Sequence, residues 1–188
     1  ANEVLDVVPV HLVRFASDGM FERGVTMKDG ALAWQNKPVL PAELSARATM
    51  IEAEFLGGSP PEDYISEISP AAAGLVSSLA KSLRAGALLF IDYGFRAAEF
   101  YHPGRVTGTL MCHYRHFAHA DPFLYPGLQD ITAHVDFSAA AQAGVDAGLS
   151  VAGYTTQSQF LLANGLTDLL ATVDPSDVLR YLPLANQL

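Results

Sequence analysis

Two acids three positions apart, Glu3 and Asp6, stand in the run Asn2-Glu3-Val4-Leu5-Asp6-Val7-Val8-Pro9, close behind an apolar opening. If that opening is the end of a strand, these polar groups lie at the carboxyl edge of a sheet, where α/β enzymes bind ligands. A carboxylate there can hold a guanidinium through bidentate, charge-assisted hydrogen bonds. The same residues also suit a plain turn in which Asp6 caps a helical turn. A second set is Asp92-Tyr93-Gly94, directly after the uninterrupted apolar run Ala87–Ile91. Either it is a ligand-facing strand end or it is simply a strand end with a Gly turn. A third set is His113, His116 and His119, followed by His134 and Asp136. Three His at spacing three are candidate metal ligands. A strand would send them to different faces, however, no His-Glu-x-x-His occurs, and Cys112 has no companion, so no metal is expected. His134 and Asp136 are separated by one residue and share a face of an extended segment. Asp136 can cap the following helix with one oxygen and orient the His134 ring with the other.

These residues need elements to position them. Val10–Phe15, Met20–Met27 and Ala31–Gln35 are strand-like and are punctuated by Ser17-Asp18-Gly19 and Lys28-Asp29-Gly30, which predicts an antiparallel meander over 10–36. Pro41–Phe55 suits a helix. Tyr64–Ile68 suits a short strand, with Glu67 near its end favouring the start of the next helix electrostatically. Ser69-Pro70 supplies an N-cap and a Pro at the first helical position. That helix is expected to run to about Arg84, with Leu75, Leu79 and Leu83 on its apolar face beside Val76 and Ala80. Ala87–Ile91 fits a strand buried on both faces of a parallel sheet. Residues 95–134 form a long connection with an expected strand at Thr107–His116, and connections of this length are usually functional. Asp136 or Ser138 opens a helix to about Ala147. Leu149–Tyr154 suits another strand, Thr156-Gln157-Ser158-Gln159 a capping box, and Asp174-Pro175 the start of a last helix.

Composition narrows the partners. With 188 residues, half of them hydrophobic, the chain has the length for one domain with a core. A net charge of −9 argues against nucleic acid, whose phosphates call for a basic surface. No apolar run approaches the roughly 20 residues of a membrane span. A lone cysteine suggests a reducing compartment. Neither end carries a targeting segment or a polar tail, and both read as internal, so a fold truncated at both ends is expected. There is no G-x-G-x-x-G after a strand and no P-loop, so the loop that would cradle a nucleotide-like cofactor is not in this sequence.

Seven motifs follow one another in order: Asn2-Glu3-x-x-Asp6-x-x-Pro9-Val10-His11, Glu67-Ile68-Ser69-Pro70, Ile91-Asp92-Tyr93-Gly94, Gly108-Thr109-Leu110, Asp121-Pro122 to Pro126-Gly127, Asp130 to Phe137, and Thr156-Gln157-x-Gln159-Phe160-Leu161-Leu162. Together they resemble the MidA family over nearly the whole chain. The resemblance implies the C-terminal part of a class I, Rossmann-like α/β methyltransferase fold with antiparallel insertions at 10–36 and 95–134. It implies S-adenosyl-L-methionine as cofactor and an arginine side chain of a protein as acceptor, in respiratory complex I assembly or a related process. Asn2 and Glu3 would then flank the cofactor at the end of the fourth strand, with Glu3, Asp6, His134 and Asp136 catalytic and Asp92 and Tyr93 touching substrate. The remainder of the same polypeptide would be a partner. The compartment would be the cytoplasm in a bacterium and the mitochondrial matrix in a eukaryote. A non-catalytic assembly module on the same fold, and a metal-dependent hydrolase built on the His cluster, are the alternative readings.

Overall fold

The computed structural model describes residues 1–37 and 41–185, in two compact units, 1–150 and 151–188. The first opens with the meander: β1 (His11–Ala16), β2 (Gly19–Lys28) and β3 (Ala31–Lys37) pair in antiparallel register. Asp29 and Gly30 join β2 to β3 with φ of 52° and 81°. Two successive positive φ values define the tight turn that matches strand twist, and Asp-Gly tolerates it. After α1 (Ala42–Phe55), β4 (Tyr64–Ile68) returns to the free edge of β1, giving a four-stranded sheet ordered β3-β2-β1-β4.

Strand alternation divides this sheet into two faces of different character. Val13, Phe15, Tyr64 and Ile68 point to one side and are buried against Leu44, Ala48 and Ile51, a helical i, i+4, i+7 stripe of α1. Leu12, Arg23 and Ile65, with Trp34 on β3, belong to the other face and line an open cleft. One sheet therefore supplies both a core wall and a site wall.

A second core joins α2 (Pro70–Ser82) to α4 (Phe137–Asp146). Ser69 caps α2, its Oγ accepting from the Ala72 amide at 3.1 Å. The buried stripe is Ala72, Val76 and Ala80, of which Ala72 and Val76 pack in one cluster with Ala140 and Ala143 of α4 and with Leu5 and Val135. Leu79, expected on that stripe, is 38% exposed. The close approach uses small side chains instead, and the helix ends at Ser82 rather than Arg84.

The run Ala87–Ile91 is not a doubly buried strand. Only Ile91 forms a bridge, parallel to Asn2, and Leu89 is 51% exposed. The segment is extended: Ala1 N donates to Leu89 O, Ile91 N to Ala1 O and Glu3 N to Ile91 O, at 2.7–2.9 Å. Among the described residues it has this single neighbour, and one edge cannot bury two faces. Beyond it, β5 (Gly94–Phe95) pairs in parallel with β9 (Val135–Asp136), and α3 (Ala97–Phe100) follows. A Cβ on Gly94 would collide with the Val135 carbonyl, which is why glycine stands there. Within the long connection, β6 (Met111–Tyr114) lies between β7 (Phe117–His119) and β8 (Asp130–Thr132), shorter than the strand expected at Thr107–His116.

The second unit is helical: α5 (Gln157–Ala163), α6 (Leu166–Ala171) and α7 (Val178–Ala185). The strand expected at Leu149–Tyr154 is absent, because that stretch finds no ladder partner among the described residues. Half of the capping box forms: Thr156 Oγ1 accepts from the Gln159 amide, while the Gln159 side chain turns to Thr155. The last helix starts at Val178, three residues beyond the Asp174-Pro175 turn, and α6 intervenes where no helix was expected.

Candidate active-site cleft

The end of the first strand-like segment delivers the acids. Glu3 is the last residue of the pairing with Ile91 and adopts a left-handed φ of 49°, a conformation uncommon for a side-chain-bearing residue. Asp92 fixes the turn that follows: one carboxylate oxygen accepts from the amides of Val4 and Leu5 at 3.0 and 2.8 Å, the other from the Tyr93 amide at 2.9 Å. Both Asp92 oxygens are thus engaged by backbone. Asp6 sits at the bottom of the turn, 6% exposed, and its Oδ1 is buried with no hydrogen-bond partner. Burial pushes the Asp6 carboxyl above its usual range, and the nearby charges of Asp92 and Glu3 push it further. Glu3 raises the Tyr93 hydroxyl in turn, by its charge and by a hydrogen bond between the two side chains. Three acids are therefore crowded together, and the most buried of them has an oxygen that a cation would satisfy.

Backbone ladders join these acids to the 132–136 segment. Ala133 N donates to Asp6 O at 2.9 Å and Val135 N to Tyr93 O at 2.7 Å. His134 N donates to Thr109 Oγ1 at 3.0 Å, and the Thr109 hydroxyl donates to Glu67 Oε2 at 3.1 Å. Glu67 Oε1 accepts from the amides of Thr109 and Leu110 at 2.7 and 3.0 Å. Glu67 is thus no helix-start charge but a buried anchor, 2% exposed, that shapes the 108–110 loop. Burial drives its carboxyl pKa upward even against these hydrogen bonds. Gly108, at φ 74°, passes so close to Glu67 that a Cβ there would strike the carboxylate.

The resulting cleft, about 960 Å³, is lined by Glu3, Asp6, Tyr93 and His134 of the expected residues. It is also lined by Arg23, Trp34, Arg105 and Thr109, which the sequence reading assigned no role. Only Thr109 carried a signal, as part of Gly108-Thr109-Leu110. The His134 ring packs edge-on to Phe95, centroids 5.1 Å apart, and its Nδ1 is buried without a partner. Burial and the Arg105 charge lower the His134 pKa, which keeps the ring neutral at neutral pH.

Asp136 does not meet His134 as expected. One of its oxygens caps α4 by accepting from the amides of Ser138 and Ala139, both at 3.0 Å. The other accepts from Arg47 at 2.9 Å and from the Tyr101 hydroxyl at 3.0 Å. Arg47 and Tyr101 out-compete a neutral imidazole for that oxygen, and Asp136 lines a second pocket of about 460 Å³ between α1 and α4, which His134 also borders. Asn2 lies exposed on the bridge to Ile91. Of the His cluster, His113 borders the cleft, His116 lies in the β6–β7 turn, and His119 stacks on Phe117. Among the described residues no three His, Cys, Asp or Glu side chains converge as metal ligands would, and no helix is long and apolar enough to cross a membrane.

Glu3 and Asp6, with Asn2 adjoining them at the strand end, bring carboxylates to one end of the cleft, a donor set whose charge suits a cationic group. An adenosine-cradling loop is absent from the sequence.

The chain is similar to a candidate methyl transferase from Burkholderia thailandensis solved with S-adenosyl-homocysteine bound: 51% identity, TM-score 0.90, over 98% of this chain and 46% of that one. A second, native structure from the same organism matches at 51% identity and TM-score 0.91, over 98% of this chain and 48% of that one. Among curated proteins, the mitochondrial protein arginine methyltransferase NDUFAF7 of Rattus norvegicus is 33% identical over 73% of this chain, and that of Danio rerio 29% identical over 94%. The chain spans 29% and 40% of those two relatives' lengths. Over residues 1–155 it matches the model of a family described as S-adenosyl-L-methionine-dependent methyltransferases, and it belongs to that family.

Proposed function

We propose that this chain forms the acceptor side of a class I, Rossmann-like methyltransferase, and that the acceptor is an arginine guanidinium of a protein. The observation that carries the proposal is the buried, unpartnered Oδ1 of Asp6, in a cleft that also holds Glu3. Backbone amides reach the Asp6 carboxylate, but an oxygen shielded from water with no donor of its own is costly to leave unmatched. A guanidinium supplies a planar pair of N–H groups to match it. The arginine methyltransferase relatives support the same acceptor.

When bound, S-adenosyl-L-methionine supplies an electrophilic methyl group on a sulfonium. Asn2 and Glu3 hold the strand end beside that group. Glu3, tied to the Tyr93 hydroxyl, and Asp6 would hold the guanidinium and orient one of its nitrogens for methylation. Methyl transfer to that nitrogen, with the thioether as leaving group, would leave the nitrogen with one proton to release. The neutral His134 ring, with its unpaired Nδ1, is suited to take that proton. Asp92 acts by holding the turn, and Asp136 by holding the start of α4 and the backbone next to His134. Positioning supplies most of the rate in such a transfer. The resemblance extends the proposal to complex I assembly as the setting.

In the complete polypeptide, Glu3→Gln and Asp6→Asn each lower kcat/KM for an arginine peptide by roughly 30–1000-fold, the loss of about 2–4 kcal/mol of transition-state stabilisation. The dissociation constant of S-adenosyl-homocysteine stays within about twofold, because its adenosine contacts lie elsewhere. Calorimetry and initial rates read both. Parental rates in both variants would assign Asp6 to turn formation alone.

A further inference from the structure

The cleft has a second electrical pole. Arg105 and Arg23 both line it, yet no described carboxylate comes within 4.0 Å of either guanidinium. Arg105 lies over the Phe95 ring at 4.4 Å, and its Nε is buried with no hydrogen-bond partner. Arg23 lies over the Trp34 indole at 4.6 Å, and the Trp34 ring is itself braced by Phe123 at 4.8 Å. Aromatic faces hold both cations in place without neutralising them; Arg23 feels the charge of Asp63 only from beyond ion-pair distance, and Asp63 is already paired with Arg14. By contrast Arg14, one residue pair along the same sheet face, is paired with Asp18 and Asp63, and Arg47 is paired with Asp136. In a chain of net charge −9 with only 11 Lys and Arg, two arginines kept without carboxylate partners in one cleft call for an external anion.

We infer that Arg105, with Arg23 as its second arm, is a specificity-determining anion subsite that binds an acidic side chain of the protein acceptor near the methylated position. The subsite rests on the same cleft as the arginine-directed reading but does not depend on it, because it recognises the neighbour of the target and not the target itself. Arg105 is the primary contact, since its Nε is already desolvated and has no partner. A bound carboxylate completes the guanidinium's fork with two short hydrogen bonds. Held at both poles, the acceptor segment has its direction along the cleft fixed, which a single contact at Glu3 and Asp6 does not achieve.

The test uses the complete polypeptide and synthetic Ala/Gly peptides carrying one arginine and one glutamate, the glutamate walked through the flanking positions, with glutamine-for-glutamate controls. One or two positions are expected to lower KM at least tenfold relative to the glutamine control. In Arg105→Gln that preference collapses, read within the variant as the ratio of KM for the glutamine peptide to KM for the glutamate peptide, while the KM for S-adenosyl-L-methionine stays near its parental value; kcat falls equally for both peptides to the extent that the Arg105 charge sets the state of His134. Arg105→Lys, which keeps the charge and loses the fork, retains part of the preference, and Arg23→Gln loses part. Thermal melting of each variant checks that it folds. Replacing the target arginine by lysine separates the two poles: if the arginine assignment holds, the lysine peptide is not methylated but competes with the arginine peptide, with a Ki lowered by glutamate at the same position, whereas methylation of the lysine peptide with the glutamate preference intact keeps the subsite and sinks the arginine assignment. Equal KM values across all glutamate positions would overturn the inference. So would an Arg105→Gln variant whose defect is in KM for S-adenosyl-L-methionine, since the anion would then be the cofactor's own carboxylate.

Discussion

At the scale of single residues, the cleft depends on acids in different environments. Glu67 is buried and fully hydrogen-bonded, whereas Asp6 is buried with an oxygen left over. Removing Glu67 orphans two amides and a hydroxyl, so Glu67→Ala should destabilise by about 3–5 kcal/mol in urea unfolding. Glu67→Gln, which keeps an acceptor for the amides, should cost about 1 kcal/mol or less at neutral pH. The pH dependence has a definite sign. The Glu67 carboxyl is raised in the folded state above 4.5, so its contribution is fully present below that value and is lost as pH rises through the folded pKa. Glu67→Gln should flatten that decline, and equal slopes for parent and variant would show that Glu67 does not set it. From sequence, the placing of Glu3, Asp6 and Tyr93 at strand ends was legible, because they follow apolar strand-like runs. Glu67 was misread, because an acid at a strand end looks the same whether it meets water or backbone amides. Arg23 and Arg105 had no periodicity or motif to mark them. Their partners Trp34 and Phe95 are distant in sequence and adjoin them only once the strands pair and the 95–134 connection folds.

Among the elements, α4 ties structure to chemistry, because its cap is two residues from His134. Asp136 accepts four hydrogen bonds, two from the first turn of α4 and one each from Arg47 and Tyr101. Asp136→Ala should therefore cost about 2–4 kcal/mol in stability, more than a cap alone at about 1 kcal/mol. Asp136→Asn, which keeps the cap, should cost about half as much. Equal and small losses in the two variants would make the Arg47 and Tyr101 contacts incidental. The N-caps at Ser69, Asp136 and Thr156, the strand Tyr64–Ile68 and both turns of the meander were legible, because each is set by chemistry within a few residues. Ala87–Ile91 and Leu149–Tyr154 were not. An apolar run records a need to be covered, but a ladder needs a second strand, and residues 1–3 offer 87–91 one edge only. Leu79 and Leu83 misled for a related reason: α2 meets α4 closely, and the close contact selects Ala72, Val76 and Ala80.

Across the first unit, a single four-stranded sheet separates stability from function. Its inner face carries Val13, Phe15 and Tyr64 into the core against α1, and its outer face carries Leu12, Arg23 and Trp34 into the cleft. The acids arrive from the parallel pairing of residues 1–3 with 89–91, and His134 from the 132–136 segment. Family membership was legible in the order of seven short motifs, whereas the cleft's second pole needed coordinates. The measurement closest to the central claim is mass spectrometry of peptides incubated with the complete polypeptide and S-adenosyl-L-methionine bearing an isotopically labelled methyl group. The expected result is label on an arginine ω-nitrogen, reduced by at least roughly 30-fold in Asp6→Asn while the cofactor product still binds. Label on lysine or on a carboxylate, or arginine label unaffected by Asp6→Asn, would contradict it.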